Sequence, residues 1–160
     1  MNPADFSNTI EKYWDTVFRI ALNHFGNKSD AEDAVQEVML KFYTSACANG
    51  KSFESDEHIR NWLIRVTINV CKSTLRSFWR SKRTSIEELQ EALSFDNTQQ
   101  SDFFLTVMSL PEQHRTVLYL YYYEDLTARE IAEILGKTEA HIRTRLSRAR
   151  NKFKEVWQDE

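Results

Sequence analysis

Apolar residues recur three and four positions apart in one segment after another, and this spacing constrains the chain more than any other feature. Ile10, Tyr13, Trp14, Val17, Phe18, Ala21 and Leu22 form the first such series. Residues at these intervals share one face of an α-helix, so the pattern predicts an amphipathic helix from Phe6 to about Phe25, ended by His24-Phe25-Gly26-Asn27. Ala31, Ala34, Val35, Val38, Met39 and Phe42 repeat the series in a second helix. Ser29 and Glu32 have the spacing of a capping box at its start, and Asn49-Gly50-Lys51 breaks it. A third stretch, roughly Glu57 to Arg80, carries Ile59, Trp62, Leu63, Val66, Val70 and Leu75, with room for a bend near Asn69. With only 3 Gly and 2 Pro, few positions force turns. No two-residue alternation is sustained, so the expected fold class is all-α.

Charge divides the chain further. The net charge is only -3, yet His58 to Thr84 contains no acid and carries Arg60, Arg65, Lys72, Arg76, Arg80, Lys82 and Arg83. Ser85 to Asp102 contains no base and carries Glu87, Glu88, Glu91, Asp96 and Asp102. A second basic block follows near the C-terminus. Two basic blocks flanking an acidic connector predict two polyanion contacts on an otherwise acidic protein. The apolar pattern thins between Arg83 and Ser101, where Ser85 and Glu88 could cap a short helix. The chain therefore divides into a helical domain over residues 1–84, an acidic linker over 85–102 and a second helical domain over 103–160.

The second basic block lies on a recognisable supersecondary pattern. Thr127 and Glu130 form a capping-box pair opening a short helix with Ile131, Ala132, Ile134 and Leu135. Gly136 stands where a left-handed residue ends it, and Thr138 can cap a longer helix with Glu139 at its positive end. A short helix, a turn containing Gly and a longer helix make a helix-turn-helix. At ~100° per residue, Ile142, Leu146, Ala149 and Phe153 line an inward face. Ala140, Thr144, Ser147, Arg148 and Asn151 lie opposite, with Arg143 on one flank and His141 and Arg145 on the other. Small, hydroxylic and arginine side chains suit a helix entering the major groove of DNA. Arg150, Lys152 and Lys154 lie further along, where phosphate contacts are expected. A basic run alone reads first as a solvated helix face; the capped frame around it reverses that in favour of DNA.

The segment from Leu110 to Glu155, beginning LPEQHR and continuing through EIAEILG to RTRLSRAR, resembles region 4 of the sigma-70 family of bacterial RNA polymerase initiation factors. DAEDAVQEVMLKFY, Asp30 to Tyr43, resembles region 2.2, and HIRNWLIRVTINVCKSTLR, His58 to Arg76, resembles regions 2.3 and 2.4. That order, joined by a short linker, is similar to the extracytoplasmic-function group. The resemblance implies a sigma factor binding core polymerase through the β′ clamp and β flap, recognising and melting the −10 element with its first domain and recognising the −35 element with its second. An anti-sigma factor is a further partner common in the family.

Carried onto this sequence, the resemblance places the −35 contact on Arg143, Thr144, Ser147 and Arg148, with Arg150 joining them, and the −10 contact on Arg65, Asn69, Lys72, Ser73, Arg76 and Arg80. Basic and aromatic residues interleave around the latter, including Trp62, Phe78 and Trp79, as a strand with unstacked bases requires. Trp62 also falls on the apolar stripe, where core packing is the plainer reading. The β′ clamp contact falls on Asp33, Gln36, Glu37 and Leu40, an apolar residue framed by polar ones; one exposed leucine is also unremarkable on any surface. The acidic linker resembles a segment that threads toward the RNA exit path, though a solvated tether has the same composition. No HExxH, phosphate-binding glycine loop, nucleophile elbow or metal-ligand spacing is present, so neither an enzyme nor a cofactor or metal is expected. Cys47 and Cys71 read as reduced thiols, and no apolar run could span a bilayer, so a cytoplasmic protein is expected. The competing function is a stand-alone dimeric helix-turn-helix regulator whose first domain senses or dimerises.

Overall fold

The computed structural model describes residues 1–73 and 98–158. The chain divides into two compact units, Met1–Arg83 and Thr84–Glu160. Among the described residues every regular element is helical, as the three- and four-residue spacing predicts. Arg76 and Arg80, together with Phe78, Trp79 and the Ser85–Glu88 cap, lie outside the described residues, as does residues 85–97 of the acidic linker.

In the first unit, α1 (Pro3–Phe25) packs on α2 (Lys28–Tyr43) and α3 (Asp56–Ser73). Helix α1 begins at a cap: Asn2 accepts the Asp5 amide at 2.8 Å. It ends where Gly26 turns left-handed at φ 68° and donates its amide to Leu22. That sharp stop relocates the start of α2. The cap of α2 is Asn27, whose side chain accepts from the Asp30 amide at 3.0 Å. The expected Ser29–Glu32 box does not form it, because Asn27 is already the extended residue required before the first turn. Helix α2 runs directly into a π-helical turn, Thr44–Ala48, and the chain reverses at Gly50.

Val17, Leu22, Val35, Phe42, Leu63 and Ile64 make the centre of this unit, all essentially inaccessible. Phe6 stacks on Phe42 at 5.6 Å, and Trp62 reaches the rings of Phe42 and Phe53 at 5.7 and 5.9 Å. Trp62 is thus half-buried in an aromatic cluster, which fits its place on the stripe. The Lys12 ammonium pairs with the Asp56 carboxylate, and the Tyr13 hydroxyl donates to the Asp56 carbonyl at 3.2 Å. These contacts fasten α1 to the first turn of α3. Helix α3 is one continuous helix through Asn69 to Ser73.

In the second unit, α4 (Thr98–Met108) is followed by α5 (Glu112–Tyr122), α6 (Ala128–Leu135) and α7 (Glu139–Gln158). Helix α4 starts inside the segment read as linker. Its Val107 and Met108 are buried, so the apolar cluster beginning at Phe103 is already helical. Pro111 precedes the first turn of α5, with φ −56° and ψ 149°. The capping box of α6 forms as its sequence requires: the Glu130 amide donates to Thr127 at 3.1 Å, and the Thr127 amide donates to the Glu130 carboxylate at 3.0 Å. Gly136 ends α6 at φ 68°, and Thr138 accepts the His141 amide at 3.1 Å to start α7. This left-handed residue, which glycine adopts without strain, makes the tight turn between the two helices.

Because the Thr127 hydroxyl accepts the otherwise unpaired Glu130 amide, Thr127→Ala is expected to destabilise α6 by about 1 kcal/mol. Hydrogen exchange of the α6 amides measures this, and protection equal to wild type would show that tertiary packing alone holds the helix.

Candidate nucleic-acid interface and docking face

The inward stripe of α7 sets which residues point outward. Ile142, Leu146 and Ala149 are 0%, 2% and 0% exposed against α5 and α6. Rotation of α7 is therefore fixed, and Ala140, Thr144, Ser147, Arg148 and Asn151 are presented to solvent on the far side. The sequence-predicted −35 residues Arg143, Thr144, Ser147 and Arg148 all lie on this exposed surface. Phe153 departs from full burial: it is half-buried between Phe103 at 5.0 Å and Trp157 at 5.4 Å.

The arginines differ in what holds them. Arg143 donates from Nη2 and Nε to one Glu139 carboxylate oxygen, at 2.6 and 3.2 Å. That bond raises the guanidinium further above its ordinary value, so Arg143 stays charged throughout the physiological range. Arg145 places Nη2 2.8 Å from His141 Nε2. Since arginine only donates, the imidazole accepts there. Arg150 is engaged elsewhere: its Nε donates to the Tyr122 hydroxyl at 2.9 Å, and its guanidinium lies 5.1 Å from the Tyr121 ring centroid. Sequence reasoning misses these tyrosines, which a helical wheel of α7 alone cannot contain. Arg143 and Arg150 also line a recess of about 630 Å³ beside Tyr121, Asp125 and Thr127. Asp125 takes the left-handed conformation at φ 53°, tolerated by its short polar side chain.

On α3, Arg65, Asn69, Lys72 and Ser73 are all exposed. Spacings of four, seven and eight place them on one helical face, with Val70 and Cys71 turned into the core. The Ser73 hydroxyl donates to the Val70 carbonyl at 3.0 Å. The structure brings four of the six residues expected at the −10 element onto one surface; Arg76 and Arg80 lie outside the described residues.

On α2, Asp33, Gln36, Glu37 and Leu40 are exposed on one face, and Leu40 is 65% accessible. Tyr43, which the sequence reading does not include, stands one turn further along and is 50% accessible. Its ring is backed edge-on by Phe6 at 5.5 Å. The same three-residue spacing that marks Leu40 marks Tyr43. The two make a small apolar spot with acidic and amide groups at its N-terminal end. Such a spot suits docking, with an apolar centre and a polar rim.

A protein with a helix-turn-helix in one helical unit and a basic, partly aromatic helix in another belongs among the DNA-binding transcription proteins. The Sigma-70, region 4 family matches residues 107–155, and the Sigma-70 region 2 family matches residues 9–81. The chain belongs to the sigma-70 family of sigma factors, in its extracytoplasmic-function group. It is an alternative sigma factor that directs transcription initiation. It is 30% identical to the RNA polymerase sigma factor SigV of Bacillus subtilis (strain 168) over 135 residues, covering 82% of this chain and 78% of SigV. The ECF RNA polymerase sigma factor SigW of the same organism is 24% identical over 175 residues, covering 96% and 89%. The fold is similar to that of the sigma factor RpoE from Bartonella quintana, solved with the anti-sigma factor NepR. The TM-score is 0.72 at 20% identity, with 96% of this chain and 97% of RpoE covered. CnrH, solved with the cytosolic domain of CnrY, gives a TM-score of 0.69 at 21% identity, with 99% and 91% covered. The match to region 2 leaves the stand-alone dimeric regulator unsupported. Among the described residues no helix is long and apolar enough to cross a membrane.

One titrating group is tied to the α7 surface. His114 of α5 is partly buried against α7, and its pKa is lowered from 6.5, first by desolvation and then by Arg145, Lys152 and Arg148. A histidine depressed in the folded state favours folding above its ordinary pKa, and that contribution is lost as pH falls through the lowered value. The melting temperature is therefore expected to drop on acidification below about 6.5, before most carboxylates titrate. His114→Gln is expected to flatten this part of the profile; an unchanged profile would place the dependence elsewhere.

Proposed function

We propose that this sigma factor works through three surfaces of its own: the α2 face for core polymerase, the α3 face for the −10 element and the outward face of α7 for the −35 element. The observation that carries the reading is the burial of Ile142, Leu146 and Ala149, which turns Thr144, Ser147 and Arg148 outward together. Arg143 and Arg148 supply donors matched to guanine or phosphate, and Thr144 and Ser147 allow close approach to base edges.

Asp33, Gln36, Glu37 and Leu40 dock on the β′ clamp, with Tyr43 extending the apolar centre. Arg65 and Lys72 draw the backbone of the −10 region, while Asn69 and Ser73 offer amide and hydroxyl groups to unstacked bases. Arg76 and Arg80, later in the sequence, add positive charge to the same contact. The second unit meets the β flap, and the acidic sequence ahead of α4 serves the RNA path. The factor catalyses no reaction itself and acts in the cytoplasm by placing polymerase on promoters. The solved relatives RpoE and CnrH are held by NepR and by the cytosolic domain of CnrY. By that likeness an anti-sigma factor is a further partner.

Run-off transcription tests the whole reading: core polymerase plus this protein is expected to yield discrete transcripts from a pool of genomic fragments, and core alone is not. Absence of any such transcript argues against it. Leu40→Asp is expected to weaken binding to core polymerase at least tenfold by placing a charge in an apolar contact, without altering duplex binding by the free chain. Arg148→Ala is expected to cost about 1–3 kcal/mol of promoter discrimination and to relax the sequence preference at one −35 position. Selection of bound promoters by both variants reads the two effects separately.

A further inference from the structure

Arg150 sits in the middle of α7, two turns beyond Arg143, and the chemistry around it differs from that around the other arginines. Its Nε donates to the hydroxyl of Tyr122, 28 residues earlier, at 2.9 Å. The guanidinium carbon lies 5.1 Å from the Tyr121 centroid and 5.8 Å from that of Tyr122. A π-face of the guanidinium and one of its donor edges are thus both occupied, and the side chain is half-buried. Tyr121 and Tyr122 close helix α5, immediately before the turn that leads to α6. Tyr121 and Arg150 also line the same recess as Thr127 and Arg143.

We infer that Arg150 is a positioning residue: it clasps α7 to the end of α5 and fixes the tilt at which the outward face meets the −35 element, instead of gripping the DNA backbone. The inward stripe of Ile142, Leu146 and Ala149 sets the rotation of α7 about its own axis. Rotation alone leaves the tilt of the axis undetermined. Arg150 lies off that stripe, near 80° from Ile142 on the wheel, and holds the C-terminal end of α5 through Tyr121 and Tyr122, so it supplies the second constraint. Thr144 stands six residues away, about 9 Å along the axis. A modest change in tilt at Arg150 therefore displaces the groove-facing residues by a distance that hydrogen bonds cannot absorb. Only arginine can stack on a ring and donate in the ring-flanking plane simultaneously; lysine offers a point charge and no planar face.

The inference rests on the reading of α7 as the −35 helix, and its test separates the two. Holoenzyme is assembled from core polymerase and the full chain, as wild type, Arg150→Lys, Arg150→Ala, Tyr122→Phe and the Arg150→Lys/Tyr122→Phe pair. Affinity is measured against salt on a promoter fragment recovered by transcription and on the same fragment with a scrambled −35 element. A positioning role predicts that Arg150→Lys and Tyr122→Phe each lower the promoter-to-scrambled ratio about three- to tenfold. It predicts a double variant no worse than the weaker single one, because both remove one clasp. It further predicts a salt slope for Arg150→Ala close to that of wild type. A backbone contact predicts the opposite. Arg150→Lys would then match wild type, Tyr122→Phe would be silent, and Arg150→Ala would lose about 0.9 from the slope on both fragments alike. That outcome overturns the inference while leaving α7 as the −35 helix. A wild-type holoenzyme that does not distinguish the two fragments overturns the reading of α7, and the inference with it.

Discussion

Three buried side chains on α7 govern much of what the second unit can do. Ile142, Leu146 and Ala149 occur once per turn and are almost wholly excluded from water. At ~25 cal/mol per Å² of apolar surface, a fully buried leucine or isoleucine contributes about 2–3 kcal/mol, far more than any exposed ion pair on the same helix. Turning α7 even by one residue would exchange this stripe for arginine and serine or for histidine and arginine. The core therefore selects one rotation, and the polar residues receive their exposure as a consequence. Stability and recognition are written on the same helix at complementary angles.

The first unit follows the same logic with a different outcome. Helix α2 places Ala31, Ala34, Val35, Val38 and Phe42 inward, so Asp33, Gln36, Glu37 and Leu40 are left outside. Leu40 cannot reach the core from that angle. Its exposure is fixed by the burial of its neighbours, and the aromatic cluster of Phe6, Phe42, Phe53 and Trp62 holds the C-terminal end of α2 in place. The π-helical turn that follows carries the chain away from this spot, leaving Tyr43 beside Leu40 at the margin of the core.

How much of this is legible in sequence depends on whether the deciding interaction is local. Helical faces are local, so the wheel of α7 and the stripe of α2 match the structure. The Thr127–Glu130 box and the left-handed Gly136 are local as well, and both form. The start of α2 shows the limit of such reasoning. Asn27, Ser29 and Asp30 all have capping chemistry within four residues, and the choice falls to Asn27 because Gly26 ends α1 so abruptly. Arg150 shows a different limit. A wheel gives its angle on α7, but its partners Tyr121 and Tyr122 belong to α5, and only the packing of two helices brings them together. Tyr43 lay within reach of the spacing argument, which ends at Leu40 for want of a reason to expect its ring outside the core.

The pairing of Arg143 with Glu139 has a kinetic side. A guanidinium already bonded to a carboxylate 2.6 Å away projects little net field, so it adds little to the long-range pull on passing polyanions. On the proposed reading of α7 as the −35 helix, its charge becomes available only when a phosphate or a guanine edge displaces Glu139 at close quarters. Arbitrary DNA then gains little residence from Arg143, whereas a site that offers the right acceptor gains a full charge-assisted contact. Discrimination by this arginine thus falls on how slowly a complex comes apart, and the search along the genome proceeds with one positive charge held in reserve.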